Sequence, residues 1–313
     1  MASQGAPKTR LVPKSSLNRA LNALGDRWSL LIVQEAFLGA TRFEEFHERL
    51  GGARSTLSSR LQALERHGIL EKRPHKDEGA RMAYHLTPRG LDLFDSMILM
   101  WGWGVRWGVA GRRAPTVFLH TVCGKPMLPE VRCSSCGEPM TLHSCSFVPG
   151  PGQGMEKLPV QRMHRKRQPT DVTPVLELVD LLGDRWTGLV VSVQYFGIHR
   201  FDEMQNMLGI ASNILTDRLR TLENAGIFER RLYEITPPRY EYWMTKKGLD
   251  LYPHALTMLN WAEIWLKDKA GPPVRIRHNC GAPLASEVDC SVCKGRLKMS
   301  EVLLKPGKGH TIA

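Results

Sequence analysis

The chain has 313 residues, 42% of them hydrophobic and 24% charged, with a formal net charge of +12. That length suits about two domains, each with a core of its own, and the composition excludes a disordered chain. No apolar run approaches the roughly 18–20 residues that a membrane span needs. Met1 to Lys14 carries basic residues with no apolar core after them, which argues against a secretory signal and for cytoplasmic residence. The positive excess favours a polyanionic partner, nucleic acid or an anionic surface.

The chain repeats itself. Leu24-Gly25-Asp26-Arg27-Trp28 recurs as Leu182-Gly183-Asp184-Arg185-Trp186, an offset of 182 − 24 = 158. The same offset relates Arg42-Phe43 to Arg200-Phe201, Gly68-Ile69 to Gly226-Ile227, and Trp103 and Trp107 to Trp261 and Trp265. Each copy is long enough to be a domain rather than a solenoid unit. Pro149 to Gly154 is too rich in proline and glycine for a helix or central strand and reads as a linker or exposed loop.

In the first copy Ser15 or Ser16 is placed to cap a helix running to Leu24, and Asp26 a second, nearly all-apolar helix from Arg27 to about Phe37. A third helix spans about Phe43 to Leu50. Gly51-Gly52 makes a turn, and a fourth helix runs from a cap at Ser55 to Gly68, burying Leu57, Leu61 and Leu64. A short glycine turn followed by an amphipathic helix with a small-polar and arginine face is the helix-turn-helix pattern. Residues 69–73 and 82–86 read as the strands of a wing, with Arg73, Lys76 and Arg81 around its tip. Thr87-Pro88 opens one long helix to about Trp107. The second copy has the same order, with its helix-turn-helix at 201–225, wing at 227–245 and long helix to Leu266.

These motifs resemble the HxlR-type winged-helix regulators, the second copy most closely, through Arg200-Phe201-Asp202-Glu203-Met204, Leu215-Thr216-Asp217-Arg218-Leu219 and Pro237-Pro238-Arg239-Tyr240-Glu241-Tyr242. The resemblance covers about residues 14–110 and 172–268. It implies a bacterial transcription regulator that dimerises through its terminal helices and reads double-stranded DNA with the fourth helix. Family members usually carry one winged helix per chain, so here the two copies are expected to form an internal pseudo-dimer, with a homodimer as the alternative. Some relatives sense oxidants through an N-terminal cysteine; no cysteine precedes Cys123 here, so that activity is not carried over, and any small-molecule effector is unknown.

Cations supply affinity at phosphates and base edges supply specificity. Phosphate contacts are therefore assigned to Arg42, Arg81, Arg200 and Arg239. Major-groove contacts are assigned to Ser55, Thr56, Ser59 and Arg60, and to Ser212, Asn213, Asp217 and Arg218. Arg60 and Arg218 have an alternative, pairing with carboxylates of their own domain.

Six of the seven cysteines fall in two spaced groups. His120-x-x-Cys123 precedes Cys133-x-x-Cys136, and His278-x-Cys280 precedes Cys290-x-x-Cys293, with nine residues between the inner cysteines each time. Each repeat thus offers three thiolates and one imidazole, enough to close a structural zinc site, two in all. Gly124 and Gly137, like Gly281 and Gly295, suit the tight turns of such knuckles. His143 is an alternative ligand in the first set, and Cys145 reads as a free thiol.

The expected architecture is α+β, mostly α. Winged helices occupy 14–112 and 171–270, each is followed by its own zinc-ribbon-like Cys/His module at 113–148 and 271–305, and a linker spans 149–170. A protein-docking role without DNA is the alternative function; it calls for acidic or apolar residues on the fourth helix and wing, where small polar residues and arginines stand instead. An enzyme is not expected: there is no Gly-rich phosphate loop, no Gly-x-Ser-x-Gly and no His-Glu-x-x-His, and a fully ligated metal leaves no position for substrate.

Overall fold

The computed structural model of the protein describes residues 11–74, 82–108, 116–157, 179, 181 and 183–305. The first repeat contains β1 (Leu11–Pro13), α1 (Ser16–Leu24), α2 (Arg27–Phe37), α3 (Phe43–Leu50), α4 (Arg54–Arg66), β2 (Leu70–Pro74), β3 (Met82–Leu86), α5 (Pro88–Leu91) and α6 (Phe94–Arg106). Five strands follow: β4 (Val117–His120), β5 (Lys125–Met127), β6 (Pro129–Cys133), β7 (Cys145–Pro149) and β8 (Met155–Lys157). The second repeat contains α7 (Arg185–Gln194), α8 (Phe201–Leu208), α9 (Ser212–Asn224), β9 (Phe228–Glu234), β10 (Arg239–Met244), α10 (Lys246–Leu249) and α11 (Tyr252–Trp265). It ends in β11 (Val274–His278), β12 (Ser286–Cys290) and β13 (Val302–Lys305). No described helix is long and apolar enough to cross a membrane.

Local chemistry sets the helix starts. The Ser15 hydroxyl accepts from the Asn18 N–H at 3.2 Å, and the Asp26 and Asp184 carboxylates accept from Ser29 and Thr187 at 3.1 and 3.0 Å. The fourth helix departs from expectation: it opens at Arg54 with Ala53 as its uncapped N-cap residue, so Ser55 lies exposed in the first turn. The preceding turn is pinned by Gly52, where a Cβ would lie 2.3 Å from the Trp28 ring. In each repeat Leu57, Leu61 and Leu64, or Leu215, Leu219 and Leu222, carry the fourth helix into the core at 1% exposure or less.

The helix expected from Thr87 to Trp107 is two helices, α5 and α6. Gly90 packs so closely on the Ile69 carbonyl that a Cβ would sit 2.2 Å from it, and Leu93 closes back onto the Gly90 carbonyl rather than continuing the four-residue ladder. The break turns α6 onto the other repeat, and α10 and α11 repeat it in the second copy.

The two repeats face each other about a pseudo-two-fold axis. Trp103 donates to the Lys247 carbonyl at 3.0 Å and Trp261 to the Arg89 carbonyl at 2.9 Å. Trp107 donates to Asp250 at 3.1 Å and Trp265 to Asp92 at 2.8 Å. Each pair exchanges under the 158-residue offset, the signature of a self-complementary interface, here closed within one chain. Asp26 and Asp184, equivalent residues, form an antiparallel bridge across it, and α1 packs on α7 and α11 of the opposite repeat.

The cysteine-bearing segments do not form one module per repeat as expected. They interlock: β6 pairs with β12, β4 with β13 and β7 with β11, every pair antiparallel and every pair between repeats. In the central ribbon Val131 faces Val288, both buried. The physical reason is hydrogen bonding: a short lone hairpin leaves both edges unpaired, and exchange between copies pairs them.

Candidate nucleic-acid interface and metal centres

Each helix-turn-helix presents the outward face of its fourth helix. On α4, Ser55 and Ser59 are exposed, while Thr56 and Arg60 are half-buried. On α9, Ser212, Asn213 and Asp217 are exposed. The equivalent of Ser55 is Asn213, and that of Thr56 is the half-buried Ile214. Neither helix has a side-chain N-cap; alanine stands at both N-cap positions.

Arg218 is a correction. Its side chain is 5% exposed and bonds the carboxylates of Asp184 and Asp217, with Nη2 also 3.3 Å from Asp184 Oδ1. A guanidinium buried behind its own helix cannot reach a base edge. Arg60 makes the matching pair with Asp26, Nε to Oδ1 at 3.4 Å, with a third of its side chain exposed. The Asp of each Leu-Gly-Asp-Arg-Trp segment thus caps the second helix and holds the recognition helix through one arginine.

The other assigned arginines, at the start of the third helix and on the second wing, are engaged at the surface. Arg200 donates through Nε to Glu241 Oε1 at 3.0 Å and lies over the Tyr233 ring at 4.5 Å. The Arg200 hydrogen bond holds the Glu241 carboxyl below its usual range. Arg42 pairs with Glu45 at 2.8 Å, and Arg239 with Glu234 at 3.2 Å. Pairs this exposed contribute little to folding. Arg81 lies outside the described residues.

Arg220 is a cation that the motif reading missed. It is exposed one helical stripe on from Asn213 and Asp217, and it has no carboxylate partner among the described residues. Extending the exposed stripe from Asn213 by seven residues would have found it.

The structure regroups the cysteines and histidines. One cluster holds His120 and Cys123 with Cys290 and Cys293; the other holds Cys133 and Cys136 with His278 and Cys280. Each candidate ligand is one that sequence spacing singled out, yet each cluster takes half its ligands from each repeat. His143 and Cys145 belong to neither cluster. Cys123 Sγ lies 3.9 Å from Cys290 Sγ, and Cys133 Sγ lies 3.8 Å from Cys280 Sγ. His120 Nδ1 is 3.3 Å from Cys293 Sγ, and His278 Nδ1 is 3.4 Å from Cys136 Sγ.

These separations are far too long for a disulfide. They match the edges of a tetrahedron with metal–sulfur bonds of about 2.3 Å, whose sulfur–sulfur edge is about 3.8 Å. Three thiolates and an imidazole around one point fit a soft divalent ion. The knuckle turns use Gly124, Gly137 and Gly281 at positive φ as expected, but the fourth uses Lys294 at φ 61° rather than Gly295. A Cβ at Gly295 would lie 3.4 Å from Cys293 Sγ, within ordinary contact.

Comparison with known proteins follows the same division. The HxlR-like helix-turn-helix family matches residues 23–111 and 181–270. An uncharacterised HTH-type transcriptional regulator of Mycobacterium tuberculosis is 38% identical over 137 residues, 44% of this chain and 87% of the relative. Another, from Synechocystis, is 34% identical over 100 residues, 32% of this chain and 74% of the relative. Among solved structures, the redox regulator HypR in its reduced form is 35% identical, covering 29% of this chain and 92% of that one with a TM-score of 0.27.

Proposed function

The chain belongs to the HxlR-like helix-turn-helix family, and on that premise we propose that it regulates transcription by binding double-stranded DNA through both winged helices of one chain. The observation that supports this reading is the pseudo-symmetric pairing of the repeats, which relates α4 to α9 by the same symmetry that relates the two recognition helices of a dimer. Ser55, Ser59, Asn213 and Asp217 face the groove; Arg42, Arg200, Arg220 and Arg239 supply phosphate contacts; Arg60 and Arg218 brace the helices. The protein acts by binding, in the cytoplasm, without catalysis.

Two structural zinc ions complete the proposal, one per composite cluster. His120, Cys123, Cys290 and Cys293 would hold one ion, and Cys133, Cys136, His278 and Cys280 the other. A bound ion there closes all four positions and crosslinks the two repeats. Docking on protein without DNA is disfavoured by the exposed Asn213 and Arg220 and the small polar face of α4.

Selection of bound fragments from genomic DNA by the metal-replete chain tests the function. A recurrent sequence bound with steep salt dependence is expected; recovery of random fragments alone overturns it.

A further inference from the structure

A cavity of about 340 Å³ lies where the start of the first repeat meets the second. Val12, Pro13 and the N-terminal end of α1 form one side, Phe147 and Val274 of the interlocked strands another. The floor is Leu189 and Val193 of α7, Met207 of α8 and Leu259 of α11. The first repeat differs at the equivalent positions. The equivalents of Val193, Met207 and Leu259 are Glu35, Arg49 and Trp101. There Glu35 and Trp101 are each 1% exposed, Arg49 reaches Glu35 at 3.5 Å, and the Trp101 indole donates to Gln34 at 3.0 Å. Where the first repeat has an ion pair and a large ring, the second has three apolar side chains, and the space is open.

The chemistry of the wall selects its ligand. Lys14 is its one charged side chain among the described residues, and Asp268 already pairs with it at 2.9 Å. The Ser192 hydroxyl is spent on the Leu189 carbonyl at 2.8 Å, and the Ser16 hydroxyl on Glu263. An ionised ligand would therefore be desolvated without a counter-charge. Phe147 and Phe196 flank the mouth with centroids 5.1 Å apart, and Phe196 is 44% exposed. An apolar cavity of about 150 Å³ accommodates benzene, so roughly twice that suits two or three rings.

We propose that this cavity binds a neutral, flat, mostly apolar molecule of two or three rings, and that α8 senses its presence. Met207 and Leu208 carry the ligand's contact to the first helix of the second helix-turn-helix, next to α9. The sensing step rests on the DNA-binding reading above; the binding step does not.

The test is titration of the full metal-replete chain with N-phenyl-1-naphthylamine, a neutral probe that brightens in apolar surroundings. Saturable one-site binding is expected. Leu259→Trp, which installs the ring found at the equivalent position of the first repeat, should weaken it at least about tenfold, and Met207→Trp should do the same from α8. The same rings bearing a sulfonate, 1-anilinonaphthalene-8-sulfonate, should bind at least about tenfold more weakly. Thermal melts establish that each variant is folded. Equal binding by wild type and both folded variants, or by the sulfonated probe, overturns the site. Saturating probe should shift the affinity of wild type for its selected duplex and leave Leu259→Trp unshifted; no shift in wild type overturns the sensing. Because the probe titration contains no DNA, its failure leaves the DNA-binding reading standing.

Discussion

Ser96 and His254 occupy the same position in the two repeats, 254 − 96 = 158, and they meet each other on the pseudo-axis. His254 Nδ1 lies 3.0 Å from both the hydroxyl and the carbonyl oxygen of Ser96. A carbonyl can only accept, so the imidazole proton sits on Nδ1, and burial pushes the His254 pKa below its usual 6.5. A histidine depressed in the folded state leaves the unfolded state binding more protons. Its stabilising effect is therefore present above pH 6.5 and lost as pH falls below it. Replacing His254 by Gln should shrink the drop in melting temperature between pH 7.5 and 5.5. Parallel melts of wild type and variant measure the difference; an unchanged drop assigns the acid sensitivity elsewhere, His67 included, since burial and the nearby Arg89 and Arg66 depress it too.

The buried arginine separates bracing from reading. Arg218→Ala leaves Asp184 without its guanidinium in a largely enclosed place and should cost about 3 kcal/mol in urea unfolding. Asp217→Ala, at an exposed position, should cost less than about 1 kcal/mol. Equal costs would remove Arg218 from its bracing role.

Metal stoichiometry distinguishes composite clusters from clusters within one repeat. Cys123→Ser with Cys293→Ser strikes a single composite cluster and should leave one tightly held zinc per chain. Cys123→Ser with Cys133→Ser strikes both and should leave none. Ligands grouped by repeat would give the reverse pattern, so elemental analysis of the two double variants decides.

In the proposed DNA reading Asn213 of α9 pairs with adenine, so Asn213→Ala should cost about 1–3 kcal/mol at one base position while sparing the others. Arg220→Ala should weaken binding to every sequence alike and lower the salt slope by about one. Binding isotherms at several salt concentrations read both effects.

One chain should cover one operator whose two halves differ, because Asn213 and Asp217 stand opposite Ser55 and Ser59. Mass measurement of the complex with footprinting should give a single chain on an asymmetric site, or two chains on a longer palindrome of unequal pairs. A short perfect palindrome bound by two chains, each using one repeat, would falsify the pseudo-dimer.

Much of this was legible in the residues. The 158-residue offset identified two winged helices, because capping residues and apolar stripes are local signals with fixed spacing. The same locality identified all eight candidate metal ligands. What locality could not supply was their partnership. Grouping by repeat and grouping across repeats both yield three thiolates and one imidazole, so composition is blind to the choice. Strand exchange made it, when β4, β6 and β7 found their hydrogen-bonding edges in the other copy. Arg218 shows the same limit. Its position on the helix does not reveal that Asp184 waits behind it, since that pair joins residues 34 apart. The cavity is a third case: Leu259 reads as an ordinary core residue until the structure shows that nothing of tryptophan's size has taken the place of Trp101's ring. Periodicity and capping act between neighbours in sequence and survive in the sequence alone, whereas edge pairing, buried ion pairs and unfilled volume exist only between segments that folding brings together.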